Sequence, residues 1–567
     1  MAIVDDLKFE LQAVRSERLF YESDWQEYVT YTAPDMERAF NTAGGVAVRD
    51  GMTALQKSAA RDRSRKLYDP TAVWLLDRLA SGVGSLTMPE GFHWHGVGYG
   101  DPFAPEPSQA EEEFFERIRD HLFRVRYSGR SGFALGNRSR LLSTVKLGTG
   151  ILYPVENEEN LADVRTPIHY RYVPLYEMYL IVDAQGVDCG FFRVRKLKAW
   201  QAVREYAGKV SDKVKTDAED PKRKTNEHVF VHACFLRDGG FKDAADIQRS
   251  RYESIHFEEE TGHICKRSGF FEYPLVVSRW DRDGLSPYGS PPQAKLMGDI
   301  KSLQSLARDA LIASSQAVRP PIATHREERQ LDLNPGRTNP GLIDEQGRPL
   351  FRPMIDTVNP GAADNQIENI REKLRVGLYG DLWQTLLEGN GRTATEANIR
   401  RKEMADMIGP FSTNVLAGNE NLFDREIGIL GRRGAFEPGS PLAPPEALAD
   451  SEVTLKSTAP IDQMREAGHF EAIMGFQEYL GAAASADPAV MDLVDREEEF
   501  DLARRSLGLP AKLRRSDEEV QALRQQRAQS QQQQEQLAAG ESVARMAKDG
   551  APLLKALQEQ GGGVGVA

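Results

Sequence analysis

The chain has 567 residues and a mass of 63.3 kDa, enough for a sizeable core and about two to four structural units. Its 40% hydrophobic and 28% charged residues are typical of a soluble globular protein, and no apolar run reaches the roughly 18 residues of a membrane span. The formal net charge of −13 excludes the overall basic surface of a tight DNA binder, so any contact with nucleic acid has to be local or weak. Three cysteines and an N-terminus without a secretory pattern predict a soluble protein of the reducing cytosol.

The first half of the chain is predicted to pass from helices to strands. Apolar spacing and breakers predict helices within 4–40 up to Pro34, over 71–86, over 108–128 and after Gly132. From about 149 to 280 the pattern changes to short β-rich runs such as HVFVHACFL. A charged, poorly structured insert is expected around KTDAEDPKRKTNE, and His93-Trp94-His95 is interpreted as a surface loop.

The clearest helix is predicted over 290–318. Ser290 can cap its start, and Pro291-Pro292 occupy positions where a missing N–H costs nothing. Apolar and small residues, among them Ala307 and Ala310, then recur every three or four positions. This stripe lets another helix approach closely, although an ordinary core helix is the alternative interpretation.

The region after this helix is predicted to be a knot of turns between long helices. Residues 319–362 are rich in Pro and Gly and are expected to form turns and short extended pieces. A second amphipathic helix is predicted over 364–387 and a third from 394 to about 430, in which Gly409-Pro410 predicts a kink.

The segment GNGRTATE, residues 389–396, lies between the second and third of these helices. A phosphate-binding P-loop would need Lys followed by Ser or Thr, and a dinucleotide-binding turn would need a preceding strand. Neither is present, whereas Thr393 and Glu396 have the spacing of a helix capping box. Gly389 and Gly391 allow a tight or mobile link. The loop is therefore predicted to be mechanical rather than a nucleotide site.

Five residues of the β-rich region have side chains that bind zinc: His228, His232, Cys234, His263 and Cys265. Strand periodicity would place the first three on one face of a strand, and it would likewise place the last two on one face. Their alternation with apolar residues and the lack of a C-x2-C pair favour an ordinary half-buried strand. We expect no metal, and these residues are only weak candidates. No G-x-S-x-G nucleophile motif is present, so no catalytic residue and no cofactor are expected.

The C-terminal part begins near 433 with a Pro-rich linker, followed by a short strand, SEVTLKSTAP, and by helices rich in Ala and acidic residues through Leu507. Residues 516–560 are strong helix formers around a Gln cluster. They are typical of a coiled-coil-like or fraying surface helix, and less so of a prion-like segment.

Three segments, in this order, resemble the portal proteins, or head-to-tail connecting proteins, of short-tailed bacteriophages: RSRKLYDPTAVWLLDRLASGVGSLTMPE, YPLVVSRWDRDGLSPYGSPPQAKLMGDIKSLQ and GRTATEANIRRKEMADMIGPF. The resemblance covers about residues 10–435. No segment holds catalytic chemistry, so the match rests on their order around a helix–knot–helix–loop–helix core.

The resemblance implies an α+β portal fold that assembles into a ring, normally of twelve subunits, at one capsid vertex. It also implies a division of the chain into a wing at 1–289, a first stem helix at 290–318, a clip at 319–360, a second stem helix at 361–387, a channel loop at 388–393, a kinked wing helix and strand at 394–459, a crown at 460–515, and a C-terminal helical barrel and tail at 516–567.

The function implied by the resemblance is structural rather than enzymatic: a conduit for packaging and ejecting double-stranded DNA. The expected partners are the large terminase and later the tail adaptor on the clip, internal core proteins, and the major capsid and scaffold proteins. The protein would be assembled in the host cytoplasm and reside in the virion, without a membrane. Another virion or scaffold protein, or a zinc-binding enzyme, are the alternatives.

The resemblance also implies site residues. The channel loop would consist of Gly389, Asn390, Gly391, Arg392 and Thr393. Arg392 in the loop and Lys301 and Arg308 on the stem are candidates for weak phosphate contacts, or equally for solvated or inter-subunit positions. Arg326, Arg329 and Arg337 are expected on the partner surface of the clip. The net negative charge of the chain is consistent with DNA that slides through the channel, because affinity for duplex DNA comes mainly from neutralised phosphates.

Overall fold

The structure is a computed structural model that describes residues 2–34, 67–101, 103–157, 167–237, 250–318, 322–324, 344, 346–348, 351–353, 360–381, 394–448, 453–506, 509–515 and 519–534. Its contacts divide the chain into a larger unit, Met1–Ala104 with Phe115–Gly468, and a smaller unit, Pro105–Phe114 with His469–Ala567. Within the described ranges, no helix is both long and apolar enough to cross a bilayer.

The helices follow the predicted order. They are α1 (Ala2–Thr32), α2 (Thr71–Thr87), α3 (Gln109–Arg126), α4 (Phe133–Leu147), α5 (Ala199–Glu205), α6 (Asp212–Glu219), α7 (Met297–Val318), α8 (Pro360–Gly377), α9 (Ala394–Arg432), α10 (Pro460–Ala486) and α11 (Arg496–Ser506). A further helical stretch covers 519–534. The first helix ends at Thr32, close to the predicted end at Pro34, and the third long helix continues through Gly409 and Pro410.

The strands are β1 (His95–Tyr99), β2 (Thr149–Glu156), β3 (Ile168–Val173), β4 (Met178–Val182), β5 (Asp188–Lys198), β6 (Glu227–Leu236), β7 (Tyr252–Glu258), β8 (Ile264–Phe270), β9 (Val276–Arg279), β10 (Ile322–Thr324), β11 (Phe351–Pro353) and β12 (Val453–Ser457). In the described part of the chain they form sheets of order β4-β5-β6-β7-β8, β3-β2-β9, β1-β12 and β10-β11. Together with the helices, these sheets confirm the predicted α+β class.

The five-stranded sheet is antiparallel and packs one face on α1. Leu7 and Leu11 of α1 lie in a buried cluster with Val231 and Ala233 of β6. Because successive side chains of a strand point to opposite faces, His232 and Cys234 lie on the face opposite Leu7 and Leu11.

Residues 215–227, predicted to be a poorly structured insert, are ordered. The Ser211 hydroxyl accepts a hydrogen bond from Val214 N at the start of α6. Val214 is buried in a cluster with Phe230 and Cys265. The charged composition therefore marks only the exposed face of a short helix that covers the sheet.

The helix predicted to begin at Ser290 begins later. A 3-10 turn over Pro292–Leu296 precedes α7, which starts at Met297. Pro291, not Ser290, is the residue that precedes this turn, and the backbone N–H of Ser290 donates to Asp281 O at 2.7 Å in an isolated β-bridge.

Two backbone segments cross closely just before this turn. Gly148 ends α4 with φ of +80°, and a β-carbon on it would lie 2.0 Å from Gly289 O. Gly289 N donates to Thr149 Oγ1 at 2.9 Å, and Gly148 O accepts from Trp280 N at 2.9 Å. Only glycine fits both the left-handed conformation and the close approach at Gly148.

The smaller unit is held partly by ion pairs. Arg504 contacts Glu112 Oε2 at 2.7 Å, and Asp501 pairs with Arg514. Gln109 Nε2 donates to Arg514 O at 3.2 Å. These contacts join the start of α3 to α11 and to the segment that follows it.

Candidate functional site

The two helices that correspond to the predicted stem, α7 and α8, pack against each other within one chain. Ile300 and Leu303 of α7 share a buried cluster with Ile367 and Leu374 of α8. Trp25 of α1 lies in the same cluster, so the first turns of α7 are fixed to the larger unit.

The later turns of α7 have a different environment. Leu311 and Ile312 are 59% and 46% exposed. Ala307 is buried, and Ala310 packs against the cluster to which α8 contributes. Part of the small-residue stripe therefore serves packing inside the chain, while large apolar side chains face outward near the end of the helix.

The two stem cations have carboxylate neighbours. Lys301 Nζ pairs with Glu27 of α1, and the Arg308 guanidinium contacts its neighbour Asp309 at 3.2 Å. Both basic side chains are about half exposed. Exposed pairs of this kind contribute little to stability, so both cations can exchange partners.

A polar contact fixes α7 to the start of α2. The Gln304 side-chain oxygen accepts hydrogen bonds from the backbone N–H groups of Tyr68 and Asp69, at 2.8 and 3.1 Å. Gln304 Nε2 donates to Asp69 O at 2.6 Å. One amide side chain thus satisfies three backbone groups of the segment that leads into α2.

The Asp69 side chain extends this contact to α8. Its Oδ2 accepts from Arg371 Nε and Nη2 at 2.9 and 2.7 Å, and its Oδ1 accepts from Thr71 N at 2.8 Å. Burial alone would raise the pKa of Asp69, but the hydrogen bonds from Thr71 and Arg371 lower it overall. The charged carboxylate of Asp69 therefore joins the start of α2 to α8, while its backbone groups join it to α7 through Gln304.

A second polar cluster is fully buried in the larger unit. Arg126 of α3 donates from Nε to Glu426 Oε1 of α9 at 2.8 Å, and the Tyr170 hydroxyl donates to the same oxygen. Arg126 also donates to His95 Nε2, and its guanidinium carbon lies 4.7 Å from the ring centroid of Trp94. Burial and the neighbouring Arg126 hold the pKa of His95 well below its usual range, so the ring is neutral.

The interpretation of His93-Trp94-His95 as a surface loop is therefore wrong for two of the three residues. Trp94 and His95 are buried, and His95 begins β1, which pairs with β12. His93 is exposed, and its Nε2 lies 3.7 Å from Asp120 Oδ1. The sequence hid this strand because its partner lies near the other end of the chain.

The five weak metal candidates do not converge. His228 Nε2 lies 3.1 Å from Asp217 Oδ2, whereas His232 Nε2 lies 2.9 Å from Ser254 Oγ. Cys234 and Cys265 are buried in different clusters, and burial raises the pKa of Cys265 to about 12. Over the described ranges, no three His, Cys, Asp or Glu residues are grouped so that they could hold a metal ion.

Other predicted site residues lie outside the described residues. These are the channel loop, Gly389, Asn390, Gly391, Arg392 and Thr393, and the clip residues Arg326, Arg329 and Arg337.

The sequence interpretation missed both polar clusters. For Asp69 a signal was present, because Asp-Pro-Thr before an apolar helical run is typical of a helix start. For Arg126 and Glu426 no local signal exists, since these residues are 300 positions apart.

Comparison with known proteins gives a family. The family described as "Bacteriophage head to tail connecting protein" matches residues 4–514. The chain is 24% identical to the portal protein of Salmonella phage epsilon15, over 95% of this chain and 94% of that protein. It is 23% identical to a probable portal protein of Bordetella phage BPP-1, over 93% of this chain and 91% of that protein.

Two of the solved structures with similarity to this chain come from gene transfer agent particles. A chain of the neck of the native particle, computed with C12 symmetry, aligns with a TM-score of 0.37 and 13% identity, over 79% of this chain and 93% of that chain. A chain of the native virion gives a TM-score of 0.33 and 12% identity, over 79% and 92%. The family match carries the assignment and confirms the predicted structural role: this chain belongs to the bacteriophage head-to-tail connecting proteins.

Proposed function

We propose that the chain is the subunit of a portal ring of twelve copies, through which double-stranded DNA enters and leaves the capsid at one vertex. The family and its two relatives named as portal proteins support this proposal. The domain boundaries given above, from the wing at 1–289 to the barrel at 516–567, belong to the same proposal.

The observation that carries the ring is the unequal environment along α7. Its first turns are held by buried apolar contacts and by Gln304, whereas Leu311 and Ile312 remain largely exposed. In a ring, the later turns of neighbouring copies approach each other and cover these side chains, which would stabilise the closed assembly.

The charges support transport without tight binding. The chain has a net charge of −13, and Lys301 and Arg308 are each paired with a carboxylate. If α7 lines the channel, passing phosphates meet few uncompensated cations, so little counterion is released at any position. Such a surface favours sliding over retention. Terminase and later the tail adaptor would dock on the clip, around Arg326, Arg329 and Arg337.

The experiment that tests the ring is native mass spectrometry of the purified chain combined with electron microscopy. A mass near twelve times 63.3 kDa, about 760 kDa, and a ring with an axial hole wide enough for duplex DNA are expected. A chain that stays monomeric or dimeric at micromolar concentration, also in the presence of scaffold protein, would contradict the proposal.

A deletion tests the loop assignment separately. Removing Gly389–Arg392 should leave ring formation unchanged and impair DNA packaging or retention, because the loop is proposed to face the passing DNA. A deletion variant that no longer forms rings would contradict the assignment of this loop to the channel.

A further inference from the structure

A cavity of about 850 Å³ opens on the face of the five-stranded sheet opposite α1. Strand residues such as His232, His256 and Lys266 form its floor, and β2, β3, α5 and the C-terminal part of α9 contribute its walls. All of these elements belong to the larger unit. The proposed ring and channel do not account for this cavity.

The lining is strongly basic. It contains seven basic side chains: Arg171, Arg193, Arg195, Arg204, Lys266, Arg425 and Arg432. Two carboxylates, Glu156 and Glu205, line it as well, which leaves seven minus two, or five, excess positive charges. Glu177 and Glu272 also pair with lining arginines and offset part of this charge. The whole chain, in contrast, has a net charge of −13.

Two groups of the cavity have pKa values lowered by burial and by neighbouring cations, whereas the pKa of Arg195 is raised overall, because the effect of its burial is outweighed by Tyr206, Glu205 and Glu177. His232 and His256 stack on its floor with ring centroids 3.9 Å apart. Burial, and next the charges of Arg195, Lys266 and Arg193, lower the pKa of His256 to about 3. Burial and the neighbouring Arg195 also lower the pKa of Arg193. An anion in the cavity would relieve this repulsion.

One wall cation has an unused donor. The Arg425 side chain is only 6% exposed, and its Nη1 donates to Glu272 Oε2 at 2.9 Å. Its Nε is buried and has no acceptor among the described residues. The guanidinium lies 5.0 Å from the centroid of the Phe270 ring, which keeps it beside the cavity.

Exposed aromatic side chains lie among the lining residues. Trp200 is 45% exposed and Phe271 is 40% exposed. Arginine forks match the oxygens of phosphate, and aromatic faces stack on nucleic-acid bases. The volume lies within the roughly 300–1,000 Å³ that is usual for small-ligand sites and is too small for a duplex.

We propose that this cavity binds a phosphorylated ligand with a flat ring, held by its phosphates on Arg193, Lys266 and Arg425 and by its ring on Trp200. A free nucleoside triphosphate and the 5′-phosphorylated end of a single strand share this chemistry. Binding requires no reaction and no metal.

The test is isothermal titration calorimetry on the full-length chain in a metal-free buffer of fixed ionic strength. The probes are ATP, inorganic tripolyphosphate, a short 5′-phosphorylated oligothymidylate and poly-glutamate. Saturable binding of one ATP per chain is expected, and saturable binding of the oligothymidylate would identify a strand end as a second source. No saturable binding of any phosphate probe would overturn the proposal, as would poly-glutamate binding more tightly than all of them, which would indicate an acidic protein segment as the occupant.

Two neighbouring residues of β8 provide the matched pair of variants. Lys266→Gln removes a lining charge and should weaken ATP binding about tenfold, a change of 1.4 kcal/mol. Arg267→Gln removes the same charge from an exposed side chain that pairs with Glu253 outside the cavity, and should leave affinity unchanged. Equal losses in the two variants would show non-specific attraction and overturn the site.

A further variant tests the proposed stacking of the ligand's aromatic base on Trp200. Trp200→Ala should weaken ATP binding several-fold and leave tripolyphosphate binding unchanged, because only ATP has a base to stack. Equal losses for both ligands would contradict the stacking role. Electron microscopy of the same samples records ring assembly independently, so a failure of this site and a failure of the portal ring are distinguishable.

Discussion

The two ends of α7 show how one helix can serve both a subunit's fold and its assembly. At the first turns, Leu303 is fully buried and Gln304 saturates three backbone groups, so this part is complete within one chain. At the later turns, Leu311 and Ile312 face outward in the single chain. Apolar periodicity predicts which face of a helix will be covered. It does not tell whether the covering surface belongs to the same chain or to another copy.

The largest effect is expected at Gly148, where two backbone segments cross just before α7. Gly148→Ala combines an unfavourable left-handed φ of +80° with a β-carbon 2.0 Å from Gly289 O, and should destabilise the fold by about 4 kcal/mol. Gly91→Ala is the matched control, because Gly91 has φ of +81° but no atom within 4 Å of the added carbon. It should cost only about 1 kcal/mol. Thermal unfolding followed by circular dichroism measures both, and equal losses would exclude the close crossing as the cause.

The same substitution at two positions of α7 sharpens the comparison directly. Leu303→Ala should lower the free energy of unfolding of the unassembled chain by about 3 kcal/mol, because it leaves a cavity in a buried cluster. Leu311→Ala should change it by less than about 0.5 kcal/mol and instead weaken ring assembly, measured by mass photometry against concentration. A Leu311→Ala variant that destabilises the single chain as much as Leu303→Ala would contradict the division of the helix.

A smaller effect is expected at the carboxylate that joins α2 to α8. Asp69→Asn should cost about 2 kcal/mol at neutral pH, because it removes the charge that accepts from Arg371. Arg375→Gln is the control, since Arg375 pairs with Glu372 at the surface, and should cost less than about 0.5 kcal/mol.

The stability difference between the natural chain and Asp69→Asn should depend on pH, because the pKa of Asp69 is shifted in the folded state. The pKa of Asp69 is lowered in the folded state, so its contribution is present above the unfolded value, about 3.9, and is lost as pH falls through the folded value. The stability gap between the natural chain and Asp69→Asn should therefore close in acid. A gap that stays constant from pH 7 to below pH 3 would show that the charge of Asp69 contributes nothing.

The features that could be predicted from the sequence are those with a local, regular pattern of residues. The long helices α2, α7 and α9 were predicted within a few residues at most ends, because apolar periodicity and Pro or Gly breakers are local signals. The resemblance gave the family and with it the structural role, which the family match confirms. The channel and clip residues remain predictions.

The features that the sequence could not predict depend on contacts between segments far apart in the chain. Trp94 and His95 looked like a loop because β1 is only five residues long and pairs with β12. The basic cavity gathers side chains from strands and helices between Tyr153 and Arg432. A basic run in the sequence, RVRKLK at 193–198, supplies only two of its seven basic side chains. Charge that is dispersed along a chain becomes a site only when the fold concentrates it.

The buried pair between Arg126 and Glu426 also has a consequence for biosynthesis. The two residues are 300 positions apart, so a growing chain leaves the guanidinium without its carboxylate until most of the polypeptide has been made. A buried arginine without a partner costs several kcal/mol, and the core around Trp94 cannot close cheaply before then. We therefore expect a prematurely terminated chain that lacks Glu426 to fold poorly around Arg126 and to be more open to proteolysis than the full chain. In this way the pair would make folding of the core depend on synthesis of most of the polypeptide.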